Sequence, residues 1–167
     1  MSGGRGAACR SAEGSLPLYP SAMVTVSREI DASPDDVWAV LSDGWLYPSW
    51  VVGASRMRMV DPAWPAVGAE LHHSVGVWPA LIDDTTTVRA SVPKRELVLQ
   101  ARGWPAGEAT VRLTLEECAG GCTVAVAEEV SRGPGRLLPG PARTVLIAPR
   151  NTETLRRLAY LAEHRSR

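Results

Sequence analysis

From Met23 onward the chain alternates between apolar and polar positions in short bursts. In VTVSREI, Val24, Val26 and Ile30 alternate with Thr25, Ser27 and Glu29, the period of a half-buried strand, and Arg28 interrupts the apolar side. The period then changes. In ASPDDVWAVLSD, Val37, Trp38, Val40 and Leu41 form a helical stripe. Ser33 is a good N-cap for this helix, Pro34 suits its first position, and Asp35 and Asp36 complement the helix dipole. Gly44 fits the glycine expected just past its C-terminus. A short second helix, broken by Pro48, is predicted over residues 45–51.

Beyond Gly53 the pattern predicts six strands, at residues 55–60, 70–77, 85–92, 96–102, 109–116 and 123–130. The segments between them (DPAWPAVG, PALIDD, PKR, GWPAG, CAGG) are rich in turn-forming residues, and Asp83-Asp84 reads as part of a hairpin turn. After GPGRLLPGP a closing helix is predicted over residues 151–164, reaching back toward Ala142 with a kink or break at Pro149. Leu155, Leu158, Ala159 and Ala162 share one of its faces. The element order is strand, two helices, six strands, helix. This is an α+β domain in which a seven-stranded antiparallel sheet carries one apolar face, and only the closing helix is long enough to cover it. A sheet that curves around a helix leaves space between the two, and that space is the expected binding site.

Residues 1–22 show no sustained periodicity and no apolar core of a secretory signal, so they are expected to be a disordered extension ahead of one domain at 23–167. Met23 is a candidate alternative start. A formal net charge of zero, with no long run of one sign, argues against a nucleic-acid partner. Apolar runs are strand-sized, well short of the roughly 18 residues of a membrane span, so no stable membrane insertion is expected. Three cysteines without framework spacing point to a reducing compartment and a cytoplasmic location, and Cys118 and Cys122 are expected as solvent-side thiols of a tight hairpin. No metal-ligand spacing or cofactor fingerprint is present. Oligomeric state is not readable.

Phe is absent, so six tryptophans and three tyrosines supply all the aromatic volume. Of the set Trp38, Trp45, Tyr47, Trp50, Trp64, Trp78 and Trp104, Trp38 reads as core. Trp45 and Trp50 in the short helix, and Trp78 and Trp104 at strand ends before Pro, are the candidates for lining a cavity. His72 and His73 are adjacent in a strand and therefore face opposite sides. Alternation groups His73 with Leu71, Val75 and Val77, whereas Trp78 falls in register with His72, so both histidines stay candidates. In TVAVAEEV the inward set is Val124, Val126, Glu128 and Val130, which puts a carboxylate on an apolar face. It needs a partner or a perturbed pKa, and either a structural ion pair or a functional group satisfies the pattern. Arg28 and Arg102 are either solvated strand residues or candidates for the cavity mouth, where they would meet a carboxylate or enolate oxygen.

The opening strand with ASPDDVWAVLSD, the aromatic segment WLYPSWVVG and the ending RNTETLRRLAYLAEHR together resemble the START-like, or Bet v 1-like, helix-grip superfamily, in its polyketide cyclase/dehydrase and lipid-transport branch. The resemblance spans about residues 23–165. It implies a curved seven-stranded sheet wrapped around a long C-terminal helix, two short helices after the first strand, and a cavity for a small hydrophobic molecule or lipid. Because such folds host unrelated functions, it transfers no catalytic residue. Three functions follow from it: transport or sequestration of a hydrophobic ligand, a cyclase-type enzyme in which His73 or Glu128 moves a proton, or a protein-interaction role that would show an exposed apolar patch in place of an enclosed pocket.

Overall fold

The computed structural model describes residues 23–77, 79–103 and 107–165. The expectations for residues 1–22, Trp78 and Trp104 lie outside the described residues. Seven strands form one antiparallel sheet: β1 (Val24–Ile30), β2 (Ala54–Val60), β3 (Glu70–Val77), β4 (Ala80–Val92), β5 (Glu96–Gly103), β6 (Gly107–Cys118) and β7 (Gly121–Arg132). Their order is β1-β7-β6-β5-β4-β3-β2, a meander closed by pairing the first strand with the last. Helices α1 (Pro34–Leu41) and α2 (Tyr47–Trp50) follow β1, and α3 (Gly140–Arg165) ends the chain. This is the α+β architecture expected from the alternation, and the helix-grip fold that the resemblance implies.

Local sequence explains most element ends. Ser33 and Asp36 form a capping box at the start of α1, with the Ser33 side chain accepting from the Asp36 amide at 3.2 Å. Gly44 plays a different part from the one expected. It opens a 3-10 turn (Gly44–Leu46) packed against β2 and β3, where a Cβ would stand 2.7 Å from Val60 and 2.8 Å from Leu71. Close approach, and not a left-handed helix end, requires glycine there. β4 begins five residues before the expected Thr85, so Asp83 and Asp84 are strand residues opposite Ser74 and His73. Pairing along the whole of β3 outweighs their poor strand propensity. Each also has a local partner: Asp83 accepts from Ser74 Oγ at 3.0 Å, and Asp84 from the Thr85 amide at 2.7 Å.

The closing helix runs unbroken through Pro149, which is on its exposed side. The missing N–H there leaves the Val145 carbonyl to solvent on a turn that is already exposed. The two halves of α3 behave differently. Leu155, Leu158, Ala159 and Ala162 are buried and plug one end of the sheet's trough against Ile30, Val37, Val40 and Leu41. The half before Asn151 carries no buried residue and stands off from the sheet. The trough is therefore filled at one end and open at the other.

The hairpin cysteines differ from expectation. Cys122 points inward, fully buried, and burial pushes its thiol up to about 11. Cys118 is disulfide-bonded and so is not the free hairpin thiol expected. Among the described residues no helix is long and apolar enough to cross a membrane.

Candidate functional site

Where α3 stands off, a cavity of about 300 Å³ opens between it and strands β5, β6 and β7. Leu99, Ala101, Ala109, Val111, Val126 and Val130 form the sheet wall, Ile147 and Thr154 belong to the helix wall, and Tyr47 and Trp50 close one side. The lining is overwhelmingly apolar, and its size is at the lower end of small-molecule sites. Leu138 and Leu146 also touch the cavity yet are substantially exposed, so its mouth is between the start of α3 and the sheet.

Glu128 is in the cavity wall on β7, buried among valines. It has partners from α3: Arg150 Nη2 forms a short ion pair with Glu128 Oε2, and Asn151 Nδ2 donates to the same oxygen at 3.0 Å. A carboxylate on an apolar strand face is thus matched by donors from the covering helix. The Arg150 side chain remains 44% exposed, so the pair straddles the boundary between cavity and water.

The expected residues divide sharply. Trp50, Arg102 and Glu128 line the cavity. Trp45 does not: it is 61% exposed, because the 3-10 turn that buries Gly44 turns the next side chain to solvent. It borders a separate surface groove beside Asp61 and Arg165. His72 is on the outer face of the sheet, 3.3 Å from Glu70 and 3.4 Å from Thr85 Oγ1 through its two ring nitrogens. His73 faces inward but lies behind the cavity wall, screened by Tyr47, whose ring centroid is 5.1 Å away. The structure therefore removes Trp45, His72 and His73 from the cavity lining. Among the polar lining residues, Glu108, Arg143, Arg150, Asn151 and Thr154 escaped sequence reasoning. The helix that carries Arg143, Arg150, Asn151 and Thr154 was legible, but which of its side chains face the sheet's open end was not.

Behind the wall is a small polar network. The Tyr47 hydroxyl is 3.2 Å from Thr86 Oγ1, and His73 Nε2 is 3.0 Å from the same oxygen. Burial pushes the Tyr47 phenol up to about 12, so it stays protonated at neutral pH. Burial likewise pushes the His73 pKa down; the backbone of Ser74 opposes this, while Arg58 and His72 add to it. The folded state thus favours neutral imidazole, and the unfolded chain takes up a proton first as pH falls. His73 contributes its full stability above about pH 6.5, and this declines below that value. Replacing His73 with Gln should flatten the fall in urea midpoint between about pH 7 and pH 5.5. An unchanged slope would mean that His73 does not titrate with unfolding.

A curved antiparallel sheet, a long closing helix and an apolar cavity between them define the helix-grip class of START-like and Bet v 1-like proteins. The chain belongs to the polyketide cyclase/dehydrase and lipid transport family, which matches residues 21–163. No curated protein matches it. Among solved structures it is similar to a structural-genomics protein from Nitrosomonas europaea, with 15% identity, a TM-score of 0.69, and coverage of 87% of this chain and 96% of that one. It is similar also to the di-domain aromatase/cyclase StfQ from the steffimycin biosynthetic pathway, with 11% identity and a TM-score of 0.67, covering 87% of this chain and 52% of that one. Ara h 8.0201 shares 11% identity at a TM-score of 0.60, over 84% of this chain and 97% of that one. At these identities the likenesses establish the fold alone.

Proposed function

We propose that the protein binds a small hydrophobic molecule in the cavity under the first half of α3, to carry or sequester it. The observation that carries this reading is the stand-off itself, which leaves about 300 Å³ of apolar-walled space in an otherwise packed interior. Natural cores are close-packed, and a void of this size lined by aliphatic and aromatic side chains is far larger than packing defects leave. The catalytic alternative receives less support. His73 is behind Tyr47, and Glu128 Oε2 is already engaged by two donors. Among the described residues, the other acid–base groups lining the cavity are Glu108, at the neighbouring end of β6, and Tyr47, whose phenol burial keeps protonated.

The neutral fluorophore N-phenyl-1-naphthylamine tests the reading. Saturable binding at one molecule per chain, with energy transfer from tryptophan, is the expected result. Fluorescence that rises without saturation, as for a nonspecific surface, would end it.

A further inference from the structure

The cavity's polar groups are unbalanced in one direction, because it offers donors without acceptors to meet them. Arg143 Nε and Trp50 Nε1 are both buried, both belong to lining residues, and neither has a hydrogen-bond partner among the described residues. A buried donor left unpaired is costly, so such groups are normally satisfied by protein, water or ligand. Neither donor is met by the lining carboxylates. Glu128 takes Arg150 and Asn151, and Glu108 is approached by Gln100 Nε2 at 3.4 Å. The charged lining residues are Arg102, Arg143 and Arg150 against Glu108 and Glu128, which leaves an excess of positive charge.

The position of Arg143 sharpens the point. It is in the first turn of α3, a helix of 26 residues whose first turn holds no acidic side chain. A helix N-terminus carries partial positive charge and ordinarily attracts Asp or Glu; an arginine there works against folding stability. Between Glu129 and Glu153 the chain contains four arginines (Arg132, Arg136, Arg143, Arg150) and no acidic residue at all. Helix dipole and side-chain charge therefore add at the cavity mouth, with apolar walls beyond.

We propose that the cavity selects an amphipathic anion: a hydrophobic body lying against the β5–β7 wall, with an oxyanion head group, carboxylate or phosphate, held at the mouth by Arg143. Arg102 reinforces the field there, and Trp50 Nε1 supplies a hydrogen bond to a second oxygen on the ligand body. The proposal rests on the reading of the cavity as a ligand site and adds the chemistry of what enters it.

Displacement of N-phenyl-1-naphthylamine by decanoate, decyl phosphate and 1-decanol, each below its aggregation limit, separates the two ideas. On the wild-type protein at least one of the anions should bind about tenfold or more tightly than the alcohol, as a charge-assisted contact requires. Whichever anion wins identifies the head group. In Arg143→Gln the preference of anion over alcohol, each referred to the fluorophore's own affinity for that variant, should fall to roughly threefold or less. Arg143→Lys, which keeps the charge, should retain a preference. If the glutamine variant does not fold, the preference on wild type and its weakening with added salt decide the matter. Equal binding of alcohol and anions to wild type, or a preference undiminished in Arg143→Gln, would overturn the anion proposal. Failure of the neutral fluorophore to bind wild type would instead overturn the cavity reading beneath it.

Discussion

Ala109→Trp should lower affinity for N-phenyl-1-naphthylamine by about a hundredfold while leaving the protein folded. Ala109 on β6 faces Ala101 on β5 in register, and both methyl groups line the cavity. These two small residues hold the wall back at a place where the neighbouring positions carry Leu99 and Val111. An indole introduced there occupies the space that a ligand would take. If a ligand buries ~200 Å² of apolar surface and loses half of that contact, the loss at ~25 cal/mol per Å² is about 2.5 kcal/mol, close to a hundredfold. Overpacking a filled core costs about 1–3 kcal/mol, but here the added ring enters an existing void, so the urea midpoint should shift little. The combination is diagnostic. Ligand affinity that survives the substitution would place the binding site elsewhere. A large loss of stability would mean that the wall around Ala109 is already packed.

The fold was largely legible because the two periods are. Strand alternation and helical stripes both follow from burying one face, and each strand of the sheet left its trace in the chain. The exceptions have tertiary causes. Asp83 and Asp84 look like a turn until β3 is extended alongside them, and Trp45 looks like a pocket residue until Gly44 is seen packed against Val60 and Leu71. The site was legible in halves. Strand alternation placed Glu128 among Val124, Val126 and Val130, since inward and outward positions follow directly from the pleat. Its partners were not, because periodicity does not say which residues of a sequence-distant helix meet a given strand position. Alternation put His73 on the inner face, but it does not say which element stands between that face and a cavity. Tyr47 does so here.

The second large effect concerns what anchors the stand-off half of α3. Arg150→Leu should destabilise the fold by about 2–3 kcal/mol, well beyond the roughly 1 kcal/mol expected for Glu128→Gln. The two substitutions break the same contact but leave different residues behind. Without Arg150, a carboxylate that is 5% exposed keeps only the Asn151 amide as a donor. Removing one member of a buried pair costs about 3–5 kcal/mol where both are dry, and the partial exposure of Arg150 reduces that figure. Without the Glu128 charge, Arg150 can turn to water, and the glutamine oxygen still accepts from Asn151. The double variant should therefore be close to Glu128→Gln alone, because the neutral amide no longer needs a cation. Urea unfolding of the four proteins measures this directly as a double-mutant cycle. Equal costs for the two single variants, or simple addition in the double, would mean that the ion pair is a solvated surface contact and that the first half of α3 is held over the cavity by other forces.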